Sequence, residues 1–131
     1  MTNWILATLG LYFIQTMIAP VIQYTSGGRA TLMIAMTGRD NPPEMSAVTA
    51  RIDRATHNMV EALLVFIPLS LLAIILGVAD GQAATGAMIF FFARAVYIPA
   101  YASGIAGVRT SVWTVGTIGQ IMILLAVLGA P

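Results

Sequence analysis

The chain of 131 residues contains no cysteine. Disulfides, thiolate nucleophiles and cysteine-ligated metals are therefore excluded. Lysine is missing as well, since all six basic residues are arginine. That removes Schiff-base chemistry and a lysine-bearing phosphate loop. A single histidine, His57, argues against a zinc or iron cluster. Charge of either sign is scarce: 8% of residues are charged, where a soluble domain carries about a quarter. The net charge of +1 gives no basis for a nucleic-acid partner. What fills the chain is apolar, at 59% hydrophobic and a mean hydropathy of +0.90, which places it among integral membrane proteins.

Four segments are long and apolar enough to span a bilayer, each needing about 20 residues. They cover about 3–25, 51–78, 82–103 and 110–129, which predicts a single all-α domain, an antiparallel four-transmembrane-helix bundle. The first segment has no basic n-region or cleavage site, and reads as a retained helix. Pro68 in the second and Pro99 in the third are tolerated where neighbouring helices satisfy the freed carbonyls. Trp4, Tyr24 and Trp113 lie near segment ends, where amphipathic rings favour the interface. The connections "ADGQ" and "GIAGVR" are short and force antiparallel neighbours. The stretch at about 26–50 is long, and its Gly-Gly, Asn-Pro and Pro-Pro signals mark loop.

Orientation follows from the arginines. Arg29, Arg39, Arg51 and Arg54 lie in or beside the first loop and Arg109 lies in the third, whereas the second loop offers Asp80 alone. The excess of basic residues in cytoplasmic loops then places loops one and three in the cytoplasm and both termini on the other side. The expected location is the cell inner membrane.

The remaining polar residues fall on helical faces. In "RIDRATHNMVEALLVF", Arg51, Arg54, Asn58 and Glu61 lie within a wedge of about 80°. Asp53 and His57 are read as lying on the opposite side, four apart and able to pair, in a structural role. In "FFFARAVYIPAYASG", Arg94, Tyr97 and Tyr101 lie within about 60°. An arginine at the centre of an apolar helix costs roughly 2.5–3.5 kcal/mol on insertion scales, so Arg94 should face a partner or a wet cavity. The nearest candidate partner is Glu61. One reading is a structural ion pair locking two helices, with Asn58 as an interhelical hydrogen bond. The other is a binding site, because one carboxylate does not satisfy several guanidiniums. The surplus positive charge calls for an anion with carboxylates that arginine holds bidentately, and Glu61 suits a ligand ammonium. An amino-acid-like or peptide-like anion meets both demands.

The run "RIDRATHNMVEA" resembles the second-helix pattern R-x-x-R-A-x-x-N-x-x-E of the membrane-associated proteins in eicosanoid and glutathione metabolism, the MAPEG family. "FARAVYIPAY" is similar to that family's third-helix pattern F-A-R-x-x-Y-x-x-x-Y, and the preceding "PPE" and the arginine in "GVRT" agree. The resemblance implies a homotrimer of four-helix subunits with glutathione in the cytoplasmic half, between neighbouring subunits, as cosubstrate and without a metal. Arg54, Asn58, Glu61, Arg94, Tyr97 and Tyr101 would hold the tripeptide, with Glu61 on its amino group and the arginines on its carboxylates. Arg51 matches the first motif arginine and Arg29 a looser one. Arg109 would stabilise the thiolate. Thr110 beside it is a candidate helper hydroxyl, although a helix N-cap is its favoured role. The implied activity is that of microsomal glutathione transferases, a transferase or peroxidase acting on a lipophilic electrophile or lipid hydroperoxide. Ala62 follows the motif glutamate where eicosanoid-forming members carry an aromatic, which points away from eicosanoid synthesis.

Two other classes remain in view. A small multidrug transporter also has four helices and a membrane glutamate, but its site is negative. A non-catalytic scaffold or accessory subunit would keep the fold while needing fewer of these polar residues.

Overall fold

The computed structural model describes residues 1–26, 36 and 44–131. Its elements are α1 (Thr2–Ser26), α2 (Ala47–Ile75), α3 (Gln82–Ala102) and α4 (Ala106–Leu128). No strand occurs among the described residues. All four helices are long and apolar enough to cross a membrane, so the chain is a multi-pass, all-helical membrane protein.

The second helix is the longest at 29 residues, a length of about 44 Å. Its start lies upstream of the charged motif because Ser46, extended at φ −61° and ψ 155°, accepts a hydrogen bond from the Thr49 backbone N–H at 3.1 Å. Since a hydrocarbon core is about 30 Å thick, such a helix carries its polar first turns toward a membrane surface while its apolar remainder crosses. Arg51, Arg54, Asn58 and Glu61 are therefore helical residues on a rigid element.

At its other end α2 stops in a Schellman motif. The Val78 N–H donates to the Ala73 carbonyl at 2.9 Å and the Gly77 N–H to the Ile74 carbonyl at 3.1 Å, with Gly77 at φ +71°. A side chain at that φ is strained, so glycine is the residue that ends the helix there.

The core lies along the middle of the bundle. Met59, Leu63 and Phe66 of α2 meet Ala83, Ala87 and Phe90 of α3, with Ile123 of α4 and Ile5 of α1 closing the cluster. The Phe66 and Phe90 rings stack at 4.3 Å between centroids. The most extensive pairing is between α3 and α4. It is close because glycine faces glycine: a Cβ on Gly86 would stand 2.5 Å from the Gly119 carbonyl oxygen, and one on Gly119 would stand 2.6 Å from that of Gly86.

Candidate functional site

Three helices deliver polar side chains to one end of the bundle. A cleft of about 470 Å³ is lined by Arg54, His57, Asn58 and Glu61 of α2, Tyr97 and Tyr101 of α3, and Arg109, Thr110 and Trp113 of α4. Two recesses adjoin it. One of about 150 Å³ adds Arg51, Gly104 and Ile105, sharing Arg54, Tyr101 and Arg109. The other, about 220 Å³, lies farther along α2 and α4 and joins Asn58, Glu61 and Trp113 to Arg94, Thr117 and Gln120.

Arg94 is 3% exposed. The expected partner was Glu61, but Asn58 stands between them. Arg94 Nη1 donates to Asn58 Oδ1 at 2.8 Å, and Asn58 Nδ2 donates to Glu61 Oε2 at 3.2 Å. No Arg94–Glu61 ion pair forms among the described residues. The amide has both a donor and an acceptor end, so it relays polarity between a buried cation and a carboxylate at the cleft. The Arg94 guanidinium carbon also lies 5.2 Å from the ring centres of both Phe90 and Tyr97, an attraction of ring faces for a cation. Arg94 Nε has no hydrogen-bond partner among the described residues. Behind it, Gln15 of α1 points Nε2 at the Arg94 carbonyl oxygen, a long contact of 3.5 Å.

Arg51 shares the face with Arg54 but is spent differently. Its Nη1 donates to the Ala102 carbonyl at 3.3 Å, at the end of α3. The guanidinium sits where a Cβ on Gly104 would be, 2.8 Å from that position, and Gly104 has φ +76°. The residue thus ties α2 to the α3–α4 turn beside the cleft, and glycine suits that turn because its φ is positive.

Arg109 belongs to the first turn of α4, and its guanidinium carbon lies 5.1 Å from the Tyr101 ring centre. Tyr101 in turn packs edge to face on Tyr97 at 5.5 Å. Guanidinium and phenols therefore form one continuous wall.

Several sequence expectations change at this point. His57 is not on the far side of α2: it lines the main cleft, because on a helix it lies only about 40° from Glu61. It does pair with Asp53, with Nδ1 3.5 Å from Oδ2. Thr110 does not cap α4, which begins at Ala106 with Ile105 at the cap position; it lines the cleft instead. Trp113, read as an interfacial anchor, also lines the cleft. The signal was present: Thr110, Trp113, Thr117 and Gln120 are spaced as one helical stripe. Arg29 lies outside the described residues.

Arg54 and Arg109 against Glu61 leave the cleft net positive. Such an arrangement suits an anion that carries an ammonium as well as carboxylates. Among the described residues no group of three or more His, Cys, Asp or Glu is placed to hold a metal.

Comparison with known proteins adds one match. The model of the MAPEG family covers residues 3–129, nearly the whole chain. No curated protein and no solved structure matches.

Proposed function

The chain belongs to the MAPEG family, and from that premise we propose that it is a membrane-bound, glutathione-dependent transferase or peroxidase acting on lipophilic electrophiles. The observation that supports this most is the single cleft in which Arg54, Asn58, Glu61, Tyr97, Tyr101 and Arg109 converge from three helices.

The residues fit the tripeptide. Glutathione has two carboxylates and one ammonium, a net negative charge opposite to that of the cleft, and about 470 Å³ lies within the range of about 300–1,000 Å³ usual for small-molecule sites. Glu61, oriented by Asn58, takes the ammonium. Arg54 holds a carboxylate, and the small recess beside it offers a second position near Arg51. The buried Arg94 acts from behind, fixing Asn58 and contributing positive potential.

When bound, glutathione supplies the sulfur that bonds to the electrophile, or that gives up two electrons to a hydroperoxide. Arg109 lies close enough to the cleft to favour the ionised thiol, as an opposite charge within a few ångströms does. Tyr97 and Tyr101 offer hydroxyl donors on the same wall. A lipophilic substrate reaches this wall by partitioning through the bilayer. In this reading the site is near the cytoplasmic face, both termini are on the other side, and the subunits assemble as a homotrimer in the inner membrane.

Glutathione titration of detergent-purified protein, following thiolate ultraviolet absorption, tests the proposal. The expected result is saturable binding with a thiolate signal that Arg109→Ala abolishes or strongly reduces. Failure to bind at millimolar glutathione refutes it, and binding without any thiolate signal replaces the enzyme by a sensor or scaffold.

A further inference from the structure

The roles assigned above leave His57, Thr110 and Trp113 of the cleft lining idle. Ionising a bound thiol requires something to take its proton, and most of the cleft is poorly suited to that. Arginine is permanently protonated, a phenol is chiefly a donor near neutral pH, and the Glu61 carboxylate is engaged by Asn58 and, in the reading above, by the ligand ammonium. Imidazole is the side chain that exchanges protons in the neutral range. The chain has one, His57, and it lines the cleft.

Its geometry suits the task. Nδ1 lies 2.9 Å from the Asp53 carbonyl oxygen and 3.5 Å from Asp53 Oδ2. Both are acceptors, so Nδ1 carries the hydrogen and Nε2 of the neutral ring keeps a lone pair. The ring is 76% exposed, which leaves it open to both cleft and water. The charged and titratable groups around it are Asp53, Arg54 and Glu61 on α2, Tyr97 and Tyr101 on α3, and Arg109 on α4.

We propose that His57, held by Asp53, is the proton acceptor for the thiol bound in this cleft. The inference rests on the glutathione reading. The S–H proton passes to Nε2, directly or through one water, and the bonding electron pair stays on sulfur as the thiolate. The imidazolium, held by Asp53, then releases the proton to bulk water through its exposed face. Arg109 stabilises the thiolate once formed, whereas His57 sets how fast it forms.

Stopped-flow absorbance after mixing detergent-purified protein with glutathione, over a range of pH, separates the two roles. His57→Gln should slow thiolate formation about a hundredfold or more, the scale of a lost general base, and flatten its pH dependence. Added imidazole should restore the rate. S-methylglutathione, which has no thiol proton, should bind the native protein and the variant alike. An unchanged rate overturns the proposal. So does a slowing that imidazole does not relieve, or a loss of S-methylglutathione binding confined to the variant, either of which makes the ring a ligand contact or a packing element. If S-methylglutathione fails to bind the native protein, it is the glutathione reading that falls, and this inference with it.

Discussion

Asn58 sits between a buried cation and a carboxylate, and its two-ended amide is what makes that position work. Arg94 Nη1 donates to its oxygen, and its nitrogen donates to the Glu61 carboxylate. Asn58→Ala would leave the Arg94 guanidinium, already short of a partner at Nε, with no side-chain acceptor among the described residues. An unmet buried donor costs about 1–3 kcal/mol, and more when it is charged. The variant should therefore unfold at lower temperature in detergent even without ligand, by differential scanning fluorimetry. An unchanged midpoint would mean that water or lipid headgroups satisfy Arg94 in its place. At this scale residue types and faces are legible in the sequence, and pairing is not. Helical spacing put Asn58, Glu61 and Arg94 within reach of one another, yet the order in which they bond depends on side-chain lengths across two helices. His57 is a simpler case: it lies only about 40° from Glu61 around the helix, so pairing with Asp53 does not set it apart from the cleft.

At the scale of elements, the α3–α4 seam decides where the cleft wall stands, since Tyr97, Tyr101 and Arg109 ride on those two helices. The seam is set by Gly86 and Gly119. A Cβ on Gly86 would meet the Gly119 carbonyl oxygen at 2.5 Å and Met122 Cβ at 2.9 Å. Backbone oxygen does not yield, so Gly86→Ala should push the helices apart at a cost of about 1–3 kcal/mol, the usual range for overpacking. Gly116 on the same seam provides the contrast. A Cβ there would stand 3.4 Å from that of Ala93, an ordinary contact, and Gly116→Ala should be nearly neutral. Thermal unfolding of the two variants in detergent checks both expectations; equal effects would show that glycine content matters rather than this crossing. Spacing along one helix does not say which glycine faces another backbone. The helices themselves follow from apolar length, whereas the expected span 51–78 runs past Gly77, whose left-handed conformation stops α2 at Ile75.

For the whole molecule, the arginine bias makes a direct prediction. Reporter fusions at either end should be active only in a form that functions outside the cytoplasm, whereas a reporter in the first loop should behave as cytoplasmic. Termini found in the cytoplasm would reverse the orientation and place the cleft on the opposite membrane face. Much of the surface is apolar, with Phe13, Leu64, Ile75 and Leu128 each more than 60% exposed, as suits a chain surrounded by lipid or by further subunits.

The sequence by itself determined the class of this protein: four apolar helices, no cysteine thiol, and two spaced motifs of arginine, asparagine, glutamate and tyrosine that carry the family likeness. Those properties follow from length, hydropathy and a helical period, which one strand of chain already contains. Only the tertiary structure decided that Asn58 separates Arg94 from Glu61, that Arg51 is drawn off to the end of α3, and that His57, Thr110 and Trp113 join the cleft. Each of these depends on the distance and rotation between helices far apart in the chain. Those are fixed by side-chain volume and glycine contacts at the crossings, which no spacing within a single helix encodes.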